Sequence, residues 1–183
     1  MSTVPTRRLF LGSAVAATAG LLLPKSSYAA YSPASREPRV LKFAHTHTGE
    51  KLAVEYWRNG DYETDGLSAV NQLMRDFRTG DIHEIDPRLL DLLHELQGRT
   101  ETTRPFEIIS AYRSPATNSA LREHSSGVAS GSLHLQGKAI DIRLRDVPLK
   151  DLQRAALASK RGGVGYYPGS DFVHVDTGRI RTW

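Results

Sequence analysis

In Ser132-Leu133-His134-Leu135-Gln136-Gly137-Lys138-Ala139-Ile140-Asp141-Ile142-Arg143-Leu144 the side-chain pattern changes character at Gly137. From Ala139 onward apolar and polar residues alternate as in a half-buried strand, with Ile140 and Ile142 on one face and Asp141 on the other. His134 lies seven positions before Asp141, an odd number, so one straight strand cannot turn both towards the same side. A turn must separate them, and Gly137, free to adopt positive φ, is placed to make it. A second segment, Asp171-Phe172-Val173-His174-Val175-Asp176, sets Val173 and Val175 on one face and His174 on the other. Asp171 has the wrong parity for His174's face. It falls on the turn announced by Pro168-Gly169-Ser170, from which a short carboxylate can still reach a water on a bound metal. His134, Asp141 and His174 form a donor set for one zinc ion with a fourth position left open, the arrangement of a catalytic rather than a structural site. The chain has no cysteine, so thiolate ligation is excluded.

Working outward, Gly163-Val164-Gly165-Tyr166-Tyr167 precedes this second segment and predicts a hairpin with it across Pro168 to Asp171. Pro148 opens a helix through Ala158, broken by Gly162 and Gly163. On the amino-terminal side, Pro105 to Tyr112 reads as a strand that delivers Arg113 at its end. Ser114-Pro115 caps a short helix to Leu121, and a Ser/Gly-rich loop from Glu123 to Ser132 leads to His134. His124 in that loop has no spacing that argues for a role. Leu67, Val70, Leu73, Met74 and Phe77 recur at helical steps, with Gly80 as the stop. Asp86 and Pro87 open another helix, with Leu89, Leu90, Leu93 and Leu96 on its buried side and Gly98 as its end. His83 and His94 are assigned to the surface of these two elements. Arg39 to Phe43 and Lys51 to Trp57 predict a hairpin, with His45 and His47 as solvated turn histidines. Strands meeting strands at both ends of the chain imply an α+β domain, a central, largely antiparallel sheet flanked by helices.

Ser-x-His-x-x-Gly-x-Ala-x-Asp followed by Asp-x-x-His resembles the zinc signature of the M15 peptidases. Ser110-Ala111-Tyr112-Arg113-Ser114, Gly162 to Pro168 and Phe172 to Gly178 are similar to their YcbK-like murein endopeptidase branch. The resemblance spans about Pro38 to Trp183 and implies a Hedgehog/D-Ala-D-Ala-peptidase-like fold over residues 39–183. It implies a zinc-dependent murein endopeptidase that cuts peptide cross-links of peptidoglycan. The metal would be held by His134, Asp141 and His174, one ion per chain, with Asp171 as general acid and base and Arg113 as the cation beside the scissile carbonyl. Some relatives carry glutamate as the base, so an aspartate here implies a closer backbone approach. Ser132 and Asp176 are candidates for hydrogen bonds to the ligating imidazoles. A carboxypeptidase that trims stem peptides, or a zinc-stabilised module that binds peptidoglycan without cutting it, stays open.

Thr6-Arg7-Arg8-Leu9-Phe10-Leu11 resembles a twin-arginine export motif. An apolar run to Leu23 and Ser27-Tyr28-Ala29 complete a signal over residues 1–29, which implies the periplasm; residues 30–38 read as a linker. The apolar run falls short of the roughly 20 residues of a spanning helix, so no membrane span is expected after cleavage. The 24 basic and 20 acidic residues give a net charge of +4, but without Arg7, Arg8 and Lys25 the remainder holds 21 basic residues against 20 acidic. A nearly neutral domain lacks the concentrated basic footprint of nucleic-acid binding. About 154 residues suit one domain, expected as a monomer.

Overall fold

The computed structural model describes Met1, residues 37–124 and residues 129–183. Apart from Met1, the expected signal segment lies outside the described residues, as does the linker as far as residue 36.

Eight strands form one sheet: β1 (Arg39–His45), β2 (Lys51–Arg58), β3 (Asp61–Tyr62), β4 (Phe106–Ser110), β5 (Ala139–Arg143), β6 (Gly163–Tyr167), β7 (Phe172–Asp176) and β8 (Arg181–Thr182). Their spatial order is β3-β2-β1-β4-β5-β7-β6-β8. Two of the neighbouring pairs, β1 with β4 and β6 with β8, are parallel, and the other pairs are antiparallel. Among the described residues the α-helices are α1 (Thr64–Leu73), α2 (Pro87–Thr100), α3 (Pro115–His124) and α4 (Leu149–Ser159). This is the α+β domain that the strand and helix patterns imply.

One face of the sheet is the core. Leu41, Phe43, Phe106, Ile108, Ile140, Ile142, Val173 and Val175 are buried there with Leu89, Leu90, Leu93 and Leu96 of α2 and Leu152 of α4. Each such side chain contributes about 1.5–3 kcal/mol through removal of apolar surface from water. Helices α2 and α4 pack against each other, α2 against β1 and α4 against β6 and β7. The alternation in β5 and β7 therefore leaves Asp141, His174 and Asp176 on the opposite face.

Several elements differ from the sequence pattern. Helix α1 ends at Leu73, capped by Met74, instead of continuing through Phe77 to Gly80. The buried Asp76 is the reason: its carboxylate accepts hydrogen bonds from the backbone N–H of Arg78 (3.0 Å) and Ser114 (2.9 Å), an alternative to helix that aspartate readily offers. Phe77 thereby leaves the helix and stacks on His47 at 4.2 Å. Helix α2 passes Gly98 and ends where Glu101 takes the left-handed conformation at φ 54°. Helix α3 runs on to His124, and Pro148 is the cap of α4 rather than its first residue. Neither His83, ahead of α2, nor His94, within it, is a plain surface residue. His83 is half-buried against the Tyr112 ring at 4.6 Å, and burial lowers the pKa of the half-buried His94. His45 is buried rather than solvated, and its Nδ1 accepts from the backbone N–H of His47 at 3.2 Å.

Candidate metal centre

The centre is built on one rung of the sheet. Asp141 of β5 stands directly opposite His174 of β7, Gly165 of β6 opposite His174 on the other side, and Ser110 of β4 opposite Asp141. Ser110 reaches this rung only because the β4–β5 register shifts between Ile108 and Ser110. A bulge of this kind redirects a side chain, and here it brings in the Ser110 hydroxyl, which accepts from Arg113 Nε at 2.9 Å.

His134 arrives from outside the sheet on a 3-10 turn, Leu133–Gln136, that closes on Gly137 at φ 63°. Glycine is required there twice over, by the left-handed backbone and because a Cβ would lie 2.1 Å from the Glu84 carbonyl oxygen. The turn is fastened by the Asp86 N–H donating to the Gly137 carbonyl at 3.0 Å and the Arg113 N–H donating to that of His134 at 3.2 Å.

Three donor atoms converge. His134 Nε2 lies 3.2 Å from His174 Nδ1 and 3.3 Å from Asp141 Oδ1, and His174 Nδ1 lies 2.8 Å from the same oxygen. Tetrahedral ligands at a metal–donor distance of about 2.0–2.1 Å are separated by about 3.3 Å, so the triangle fits a single small cation. His134, Asp141 and His174 are all buried, and among the described residues they form the one group of three metal-ligating side chains close enough to share an ion.

The surroundings select the correct nitrogen on each ring. His134 Nδ1 lies 2.6 Å from the Ala111 carbonyl oxygen, which can only accept, so Nδ1 carries the hydrogen and Nε2 offers its lone pair. In His174 the roles are reversed, with Nε2 donating to Asp176 Oδ2 at 3.1 Å and Nδ1 facing Asp141. Asp176 is fully satisfied. Its Oδ1 accepts from the backbone N–H of Gly163 and Gly178, and Arg181 grips both oxygens at 3.1 and 2.7 Å. Arg113 Nη2 donates to Asp141 Oδ2 at 2.6 Å, which leaves Oδ1 to the cluster.

Burial pushes the pKa of His134 down, against the pull of Asp141. Burial also disfavours charge on His174, but hydrogen bonds to Asp141 and then Asp176 outweigh it, so its pKa is raised. For Asp141 burial is likewise outweighed, here by His134 and His174, and the carboxyl lies well below the usual carboxylate range. The site is thus an anionic oxygen held among two imidazoles in a poorly solvated floor, a set of hard and borderline donors suited to a divalent cation.

A cleft of about 540 Å³ opens above it, bordered by Arg113, Ser132, Tyr167, Phe172, Arg181 and Trp183 along with the metal-site residues. Ser132 caps the 3-10 turn by accepting from the backbone N–H of His134 at 3.4 Å, so it holds the loop rather than an imidazole ring. Asp176 does hold a ring. Asp171 sits on the expected turn in the left-handed conformation, 64% exposed, and its carboxylate accepts from Arg143 at 3.0 Å. That places it outside the hydrogen-bonded cluster, beside a cleft bordered by its neighbours Ser170 and Phe172. His124 is exposed at the end of α3. Ser110, the Ala111 carbonyl, Arg181 and Trp183 were not legible as site residues. The first two depend on a bulge, and the last two on a parallel pairing between β6 and β8 that leaves no local pattern.

The chain matches the family model described as peptidoglycan L,D-endopeptidase MepK over residues 33–183. It is 41% identical over 177 residues to the peptidoglycan L,D-endopeptidase MepK of Escherichia coli (strain K12), covering 97% of this chain and 96% of that protein. It is also 41% identical over 163 residues to the probable peptidoglycan L,D-endopeptidase MepK of Haemophilus influenzae, covering 88% and 87% respectively. With well over two thirds of each sequence aligned, Asp141 and His174 paired across one rung of the sheet and His134 brought to them by the 3-10 turn, the chain belongs to the MepK family of M15 peptidases.

Proposed function

We propose that this protein is a zinc-dependent murein endopeptidase that hydrolyses peptide cross-links of peptidoglycan. The observation that carries the reading is the triangle of His134 Nε2, Asp141 Oδ1 and His174 Nδ1 on the floor of an open cleft, in a chain whose relatives are named for this activity. His134, Asp141 and His174 would hold one zinc ion per chain, which when bound would supply Lewis acidity towards a peptide carbonyl and a nucleophilic water at neutral pH.

The protein's own groups do the rest. Asp176 and the Ala111 carbonyl hold the two rings in the ligating tautomers. Arg113 fixes the unused oxygen of Asp141, and its guanidinium borders the cleft where negative charge develops on the carbonyl oxygen. Asp171 accepts the proton of the attacking water and returns it to the leaving amine, after its carboxylate exchanges Arg143 for the reacting group. Arg143 is not stranded by this exchange, because Glu107 accepts from it at 2.6 Å. The exposure of Asp171 on a turn is compatible with such movement.

Incubating purified cross-linked muropeptides with the protein and separating the products by chromatography tests the reading. Conversion of dimers to monomers is expected. Unchanged dimers, or dimers shortened only at a free terminus, would reject endopeptidase action in favour of binding or end-trimming. We place the enzyme in the periplasm, exported through the Arg7-Arg8 pair. Among the described residues no helix is long and apolar enough to cross a membrane. Replacing both arginines by lysine is expected to hold the precursor in the cytoplasm, and undiminished export of that variant would refute the assignment.

A further inference from the structure

Strand β6 presents Gly163, Gly165 and Tyr167 on the face that carries the metal centre, and the two glycines lie beneath side chains from β8 and the residue after it. A Cβ on Gly163 would lie 2.4 Å from Arg181 Nη1, and a Cβ on Gly165 would lie 2.7 Å from Trp183 Cε2. Neither glycine has positive φ. Their smallness therefore serves space rather than backbone conformation: they form a trough that seats Arg181 and Trp183. The first side chain is engaged on both oxygens of Asp176 and on the Arg179 carbonyl. The second is different.

The Trp183 indole lies over Gly165, the residue paired with His174, and its ring centre is 5.2 Å from that of His174. It is held in place by its N–H donating to the Tyr167 hydroxyl at 2.6 Å, by Arg181 stacked at 4.9 Å, and by backbone bonds of residue 183 to Val164 and Tyr166. Tyr167 in turn stacks on Phe172 at 4.5 Å. Despite this fixation Trp183 is 49% exposed, and its exposed surface borders the cleft. A large, rigid, apolar ring left open beside a metal centre, with its one donor already used, is suited to an apolar ligand surface rather than to a polar or charged one. The charged groups bordering the cleft, Arg113 and Arg181, are likewise turned onto Asp141 and Asp176.

We infer that Trp183, seated in the Gly163–Gly165 trough and continued by Tyr167 and Phe172, is a substrate-positioning shelf. It takes an apolar side chain of the peptide to be cut, laying that side chain flat beside His174 while the polar backbone of the peptide remains in the open cleft. The inference rests on the endopeptidase reading and adds the residue that determines how the substrate is held. Because Trp183 binds the substrate without being a metal ligand, its loss should weaken binding more than turnover.

The test is steady-state cleavage of purified cross-linked muropeptide dimers by the full chain, with metal content measured on every variant. Trp183→Ala is expected to raise KM by about tenfold or more while kcat stays within about threefold and metal content is unchanged, with Trp183→Phe intermediate. Gly165→Ala leaves the indole chemistry intact but displaces the ring, and is expected to raise KM in the same direction. An unchanged KM in Trp183→Ala, or a fall in kcat and metal content at constant KM, overturns the shelf and makes Trp183 a structural support of His174. If the wild-type protein itself leaves the dimers intact, the endopeptidase reading falls and the inference with it. Wild-type cleavage with indifferent variants removes the shelf alone.

Discussion

His134 and His174 each have one nitrogen committed to the protein, to the Ala111 carbonyl and to Asp176 respectively, so each ring has a single lone pair left and a single direction in which to offer it. Such rings make a preformed site, and the cost of orienting ligands is met on folding rather than on metal binding. His134→Ala removes one corner of the triangle and leaves a buried carbonyl without its partner. It is expected to abolish metal binding and activity and to destabilise the fold by about 2 kcal/mol or more. Asp171→Ala is expected to behave differently, because the side chain is exposed and Arg143 retains Glu107. Its metal content and melting temperature should match those of the wild type while turnover falls by about 10²–10⁴, the usual worth of a positioned acid–base group. Metal analysis and calorimetry of the two variants check the distinction, and loss of metal from Asp171→Ala would make that residue a ligand instead.

At the scale of elements, the alternation of Ile140, Asp141 and Ile142 and of Val173, His174 and Val175 was sufficient to set the two ligands on one sheet face, and the parity of His134 was sufficient to demand a turn at Gly137. Gly137→Ala is expected to cost at least about 2 kcal/mol and to lower metal occupancy, since the new methyl group meets the Glu84 carbonyl and the turn that carries His134 must move. Thermal unfolding followed by metal titration checks both effects; full metal affinity in a stable variant would contradict them. What could not be read was where a competing interaction overrides the local pattern. Phe77 continues the apolar spacing of α1, but Asp76 draws the chain out of the helix to bond the Ser114 N–H, next to Arg113. Burial raises the pKa of Asp76, yet hydrogen bonds from Thr117, Ser114 and Arg78 outweigh it and the net shift is downward. A lowered carboxyl contributes stability in full above its unfolded pKa of about 3.9 and loses it as pH falls through the folded value. Asp76→Asn is therefore expected to be less stable than the wild type at pH 7, by about 1–3 kcal/mol, with the difference shrinking below about pH 4. Denaturant titration at pH 7 and pH 3 measures it, and an equal deficit at both values would show that the carboxylate charge is not what the site uses.

At the scale of the whole molecule, the cleft gathers residues of β5, β6, β7 and β8 with the segments that follow β4 and precede β5, from Arg113 to Trp183, onto one face while α2 and α4 fill the other. The division is physical. Apolar residues alternating with ligands can pay for burial on one side only, so the chemistry is displayed on the side the helices leave open. The shared strand face of Asp141 and His174 and the fold class were legible because they obey local periodicity; the register pairing Asp141 with His174, the bulge that admits Ser110 and the return of Trp183 over Gly165 were not, because each is set by strands remote in sequence. The central claim, that His134, Asp141 and His174 hold a zinc ion on which peptide cleavage depends, is tested most directly by titrating zinc into chelator-stripped protein while following cleavage of cross-linked muropeptides. The account predicts no cleavage by the stripped protein and a linear return of activity that saturates at one zinc per chain, a return absent in His134→Ala. Full cleavage by the stripped protein in excess chelator would contradict it.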